Sequence, residues 1–207
     1  MSSAVADSGT VQANTSLAMA PKPRLFFLST DRQVDRIARI VRVLLGFVRQ
    51  RELGDDNASI TTVVQSVVEL FAEAFRAKGV VLTVLLPSTP LRVHAPIDDL
   101  QELLLNLVEN AREAVPTGGH VSIVVRGEQD RLLLLVEDDG PGLGDSPEQL
   151  FQPFFTTKTT GTGLGLAISR RIAEALGGSL TGENRFTDGR GARFVLVLPL
   201  SQAPKGT

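Results

Sequence analysis

Cysteine, tryptophan and tyrosine are absent from the 207 residues, and histidine occurs only at His94 and His120. Without cysteine there is no disulfide framework, no Cys-based zinc or iron–sulfur site and no thiol nucleophile. Two histidines are too few for a His-rich metal centre. The lack of thiols fits a reducing compartment. No apolar run approaches the roughly 18 residues of a membrane span. Residues 1–24 are rich in Ser, Ala and Thr and lack a basic start followed by an apolar stretch, so no secretory leader is expected. Neither charge sign dominates: 21 Lys and Arg oppose 23 Asp and Glu, a net charge of −2. That balance excludes wholesale nucleic-acid binding. A soluble, cytoplasmic protein is expected, with any membrane-bound or sensory part on another chain or removed. Its 43% hydrophobic and 21% charged residues suit one globular domain plus an appendage.

Residues 1–29 read as a flexible tail, where Pro21 and Pro23 discourage helix. Residues 30–57 form a second segment. Val34, Val41 and Val48 recur every seven residues, with Ile37, Ala38, Leu44 and Leu45 between them. This two-heptad seam fits a helix that packs on a second copy or on its own chain. Arg32, Arg36, Arg39, Arg42 and Arg49 on that segment fit either a solvated face or contact with an acidic partner. Residues 58–200 form the main domain, and 201–207 a short tail. Within the domain the pattern predicts helices over 61–78, from Pro96 to about Val115, and over 163–176. It predicts strands over 80–86, 91–94, 121–126, 131–137, 179–183 and 192–198, with a hairpin turn over 127–130. The fold class expected is α/β: a two-layer sandwich of one mixed sheet with helices on one face.

Four segments carry residue types suited to a nucleotide. In "ELLLNLVENAREAV", Asn106 and Asn110 lie at i, i+4 and share one helix face beside an apolar stripe. Two such amides fit Mg²⁺ and phosphate or ribose oxygens, and equally fit a solvated face. In "VEDDGPGL", Asp138 closes an apolar strand, and Gly140 and Gly142 let the backbone approach a flat ligand. A carboxylate there can accept from the exocyclic amine of adenine, or simply belong to an Asp-Gly turn. In "GTGLGLAISRRIAEALGG", Gly161, Gly163 and Gly165 open a helix, whose N–H groups and dipole suit anions. The spacing is neither Rossmann nor Walker A. In "DGRGARF", Gly189 and Gly191 punctuate the entry to the last strand. Between the second and third segments, "LFQPFFTTKTT" places Phe151, Phe154 and Phe155 in a long loop. That composition fits a mobile lid or a loop docked on the core, with Lys158 placed to meet a terminal phosphate.

The order of these five motifs resembles the catalytic ATP-binding domain of bacterial sensor histidine kinases over about residues 58–200. The string "PFFTTK…GTGLGLAI" is most similar to the nitrogen-regulation-type branch. The resemblance implies the Bergerat sandwich shared with gyrase, Hsp90 chaperones and mismatch-repair ATPases. It implies ATP and Mg²⁺ as cofactors, with Asn110 as the metal ligand and Asn106 a phosphate-side, catalytic contact. Asp138 then binds the adenine amine, Gly140 and Gly142 line the base pocket, and Gly189 and Gly191 close its far side. Thr160, Gly161, Thr162, Gly163, Leu164 and Gly165 surround the phosphates, and Lys158 contacts the γ-phosphate. Gyrase-like ATPases carry a Glu four residues before the metal-binding Asn; here that position is Asn106. A neutral amide cannot act as a general base, which disfavours built-in hydrolysis, although Glu102 and Glu109 are nearby in sequence.

Residues 31–51 resemble the second helix of the family's dimerisation and phosphotransfer hairpin. The phosphoacceptor His expected before it is missing, since residues 1–30 contain none. Three accounts follow. The first is a histidine kinase with an atypical phosphotransfer region, homodimeric through the N-terminal helix and passing phosphate to a response-regulator receiver domain. The second is a kinase or ATPase acting in trans, or a fragment, against which Met1 reads as a native start. The third is an ATP-binding regulatory module. His94 and His120 fit ordinary surface or satisfied residues, with a substitute phosphoacceptor as the alternative.

Overall fold

The computed structural model describes residues 57–158, 161–186 and 190–201. The expected tail at 1–29 and dimerisation helix lie outside them, as does all but Ser201 of the C-terminal tail. Asn57, assigned above to the helical segment, instead opens a strand. That strand, β1 (Asn57–Ser59), pairs antiparallel with β3 (Arg92–His94). Helix α1 (Ile60–Ala77) follows directly and buries Ile60, Val63, Val64, Val67 and Phe75.

Helix α2 (Ile97–Ala114) starts after Pro96, with Asp98 and Asp99 in its first turn, where carboxylates favour the dipole. It ends because Val115 precedes Pro116 and is extended, with φ −62° and ψ 134°. Lys78 Nζ donates to the Arg112 carbonyl at 2.8 Å, which satisfies one of the terminal acceptors. Leu100, Leu103, Leu104, Leu107, Val108 and Ala111 form its buried stripe. Each of the leucines contributes roughly 1.5–3 kcal/mol of burial, so α2 cannot rotate to offer a different face.

The main sheet has the order β2-β4-β5-β7-β6, built from β2 (Val81–Leu85), β4 (His120–Glu128), β5 (Arg131–Asp138), β6 (Ser179–Asn184) and β7 (Ala192–Pro199). Only β2 and β4 run parallel; the other pairs are antiparallel, so the sheet is mixed as expected. Leu132, Leu134, Val136 and Asp138 of β5 are buried, and the residues between them are half-buried. This period-two alternation marks one face as the core side. The buried alternation ends on a carboxylate, Asp138, at the mouth of the core.

Two expected boundaries move by two residues. The turn expected over 127–130 shrinks to Gln129 and Asp130, because Gly127 pairs with Leu132 inside the sheet. A Cβ on Gly127 would stand 3.3 Å from Leu91, so this glycine makes room for packing rather than for a turn. Helix α3 (Gly165–Ala175) begins two residues later than expected. Gly163 has φ +65°, which no helical residue can have. Inside the expected loop, Pro147–Phe151 forms a short 3-10 turn that sequence reasoning did not foresee.

Candidate functional site

Helix α2 is the floor of the site. Asn106 and Asn110 are both half-buried on its free face. Asn106 Nδ2 donates to Ser169 Oγ at 3.3 Å, and Ser169 Oγ donates to the Gly165 carbonyl at 3.0 Å. These bonds tie the first Asn to the opening turn of α3. No side chain caps that helix end, so its first N–H groups are suited to an anion. Asn110 lies one turn further along, and its Oδ1 accepts from Lys158 Nζ at 2.9 Å. The same ammonium also donates to Glu113 Oε2.

Asp138 marks the other end. It is 2% exposed, and its Oδ1 accepts the Gly140 N–H at 2.7 Å. Burial raises its pKa, and the Gly140 and Ala192 N–H groups partly oppose that rise. A Cβ on Gly140 would stand 3.0 Å from Ala114, so this loop lies against the end of α2. Asn106, Asn110 and Ala114 at i, i+4, i+8 therefore run from the mouth of α3 to the Asp138 loop. Eight residues of helix measure about 12 Å, which suits the reach from a triphosphate to a base.

The glycines fall into place around this line. Gly191, with φ +66°, donates its N–H to the Gly140 carbonyl at 2.8 Å, and its missing Cβ would press on the Asp138 carbonyl at 2.8 Å. It thereby seats the β6–β7 hairpin beside Asp138. Gly142 lies in the same loop, also with positive φ. Gly163 accepts from the Phe154 N–H at 2.9 Å, and a Cβ there would lie 2.7 Å from the Phe154 and Phe155 carbonyls. Gly161 packs against Thr156 and Lys158, and Gly165 against Asn106. Leu164 is buried, and its N–H donates to Thr162 Oγ1 at 3.4 Å. Thr160 and Gly189 lie outside the described residues.

The loop over the site is docked on the core at one end and exposed further along. Phe151 is 5% exposed and meets Phe194 edge-to-face at 6.4 Å, so it belongs to the core. The Arg170 guanidinium lies 3.6 Å over the Phe151 ring and pairs with Glu148 at 2.8 Å. Phe154, by contrast, is 72% exposed with φ +68°. One phenylalanine is a fixed anchor, and another is presented to solvent.

Three contributors escaped sequence reasoning. Glu113 shares the Asn face at i+3 from Asn110, a spacing that marks it in retrospect. Asn184 Oδ1 accepts the Leu143 N–H at 2.6 Å, and Arg185 pairs with Asp139 at 2.7 Å. Both brace the base-side loop from the end of β6 and the residue just after it, which no local pattern announces. Glu109, weighed earlier as a nearby acid, is held by Arg112 through two bonds of 2.6 and 2.7 Å.

Comparison with known proteins bears directly on this arrangement. Residues 95–202 match the family of histidine kinase-, DNA gyrase B- and HSP90-like ATPases. The chain belongs to that family. ATP binding goes with membership. A sensor histidine kinase, ZraS of Klebsiella oxytoca, is 33% identical over 84% of this chain and 38% of its own length. The chain thus spans little more than a third of the curated relatives it matches. The solved catalytic domain of the histidine kinase ThkA is 34% identical, with TM-score 0.64, over 69% of this chain and 93% of that domain. A structure of ThkA in complex with the response regulator TrrA is 26% identical, with TM-score 0.70, over 92% of this chain and 53% of that one. The family's bacterial sensor-kinase ATP-binding domain is therefore the fold seen here. Among the described residues no helix is long and apolar enough to cross a membrane, and no cluster of three His, Cys, Asp or Glu could hold a metal.

Proposed function

We propose that this chain works in two-component signalling as a protein histidine kinase, binding Mg-ATP and passing the γ-phosphoryl group to a histidine and then to a response-regulator aspartate. The observation that carries this is the single line on α2 that joins a half-buried amide pair to a buried carboxylate, with a helix N-terminus at the phosphate end. The similar ThkA was solved with its response regulator, which supports a receiver domain as the partner.

The donor set fits a metal that travels with its nucleotide. Asn110 Oδ1 is a neutral oxygen already engaged by a cation, the Lys158 ammonium. Mg²⁺ takes few protein ligands and fills its shell with phosphate and water, so Asn110 is the residue to hold it. When bound, it neutralises phosphate charge. The chain itself supplies position. Asp138 accepts from the adenine amine, the α3 N-terminus receives phosphate oxygens, and Lys158 meets the terminal one. An imidazole nitrogen attacks the γ-phosphorus, the bond to the β-phosphate oxygen breaks, and ADP leaves. No carboxylate stands at the Asn106 position, and Glu109 is tied to Arg112, which disfavours activation of water by either position.

Neither histidine of this chain lies on a helix that resembles the phosphotransfer hairpin, which favours an acceptor elsewhere. His94 sits exposed on β3, and the His120 ring shares a 2.8 Å hydrogen bond with Thr83 Oγ1. Incubation with γ-labelled ATP tests the proposal. Acid-labile label is expected on an added His-bearing partner, and His94→Ala and His120→Ala are expected to change nothing. Label lost in either variant would place the acceptor there. ATP binding without any transfer would favour the regulatory-module reading.

A further inference from the structure

The α2 face that carries Asn106 and Asn110 does not stop at the amides. Glu113 follows Asn110 at i+3, so these three side chains lie along one stripe. Lys158 Nζ donates to Asn110 Oδ1 at 2.9 Å and to Glu113 Oε2 at the same time. Two acceptors nearly one turn apart fix the end of a side chain that otherwise has four freely rotating bonds. We propose that Glu113 is a positioning residue: it holds the Lys158 ammonium beside Asn110, so that the lid offers a cation to the terminal phosphate. This inference rests on the ATP reading above and extends it to discrimination between a triphosphate and a diphosphate.

The energetics separate this role from a structural one. The Lys158 and Glu113 side chains are 38% and 40% exposed. An ion pair so exposed contributes at most about 1 kcal/mol to stability, too little to hold the loop onto the domain. The anchor of that loop is elsewhere, in Phe151 and Arg170. The neighbouring acid on α2, Glu109, is engaged by Arg112 and does not compete for the lysine. A carboxylate bordering a phosphate site repels its ligand unless a cation lies between them. Lys158 is in that intermediate position.

The test compares ATP and ADP affinities of the full chain, by calorimetry at fixed Mg²⁺ and salt. Lys158→Ala is expected to lower ATP affinity roughly tenfold with ADP little changed, the scale of a hydrogen bond to a charged group. Glu113→Gln is expected to act in the same direction by roughly three- to fivefold, and Glu113→Asp to recover part of the loss. The double variant is expected to be no worse than Lys158→Ala alone, because both changes remove one interaction. An unchanged or tightened ATP-to-ADP preference in Glu113→Gln would overturn the proposal, as would an unchanged preference in Lys158→Ala. Failure of the unaltered chain to bind ATP would instead remove the nucleotide reading beneath it.

Discussion

Asp138 shows at a single residue how the site opposes the fold. Its carboxylate is almost wholly buried, and burial raises its pKa above the ordinary 3.8. An acid with a raised folded-state pKa favours the folded state when protonated. That contribution is present below the unfolded value and is lost as pH rises through the folded one. At neutral pH the charge therefore costs stability; Asp138→Asn removes that cost together with one acceptor for the Gly140 and Ala192 N–H groups, so its Tm relative to the unaltered chain is expected to improve as pH rises. That improvement should set in as pH rises above the ordinary carboxylate range, followed by thermal unfolding at increasing pH. A lower Tm at every pH would mean the carboxylate is a structural acceptor above all. The same substitution should weaken ATP binding severely. A carboxylate can accept from both the Gly140 N–H and an adenine amine, whereas an amide has a single acceptor oxygen. The places of Asn106, Asn110 and Asp138 were legible in the sequence because helix spacing and strand ends fix where such residues stand, whereas their nucleotide roles come from the family resemblance. Glu113 was not, because its role depends on where the lid returns Lys158. The state of Glu109 was also hidden, since its i, i+3 partner Arg112 is one of several cations within reach.

Among the elements, α2 acts as the ruler and the loop after β5 as the adjustable part. The ruler was read correctly because its apolar stripe has the helical period and each member is buried. The loop reads in sequence as either a mobile lid or a segment docked on the core, without its internal arrangement. Its internal division, with Phe151 anchored and Phe154 exposed, comes from contacts with Phe194 and Arg170 that lie far along the chain. The start of α3 was misplaced because a glycine in a left-handed conformation looks, in sequence, like a glycine in the first turn. Gly163 is what joins loop and helix. Gly163→Ala should cost about 1–2 kcal/mol for the left-handed backbone alone, with more from the crowding carbonyls. A lower Tm together with weaker ATP binding is expected in thermal-shift titration. Normal ATP affinity in that variant would detach the Phe154–Gly163 clasp from nucleotide binding.

Across the whole molecule, alternating strands and three helices were enough to announce a two-layer sandwich with a mixed sheet. The strand at β3 was expected, but its partner β1 was missed, since Asn57–Ser59 has no period and lies in a stretch that reads as a helix break. Residues 30–57 retain the heptad seam proposed for dimerisation. Gel filtration of a chain lacking residues 1–57 is expected to show a monomer beside a dimeric full chain, and a persistent dimer would exclude the seam as the main interface. The account as a whole stands on one site binding one ligand, which calorimetric titration of the full chain with ATP tests most directly. Saturable, Mg²⁺-dependent binding is predicted, abolished or much weakened by Asp138→Asn and stripped of its Mg²⁺ dependence by Asn110→Ala. Absence of ATP binding, or equal binding by all three proteins, would contradict it.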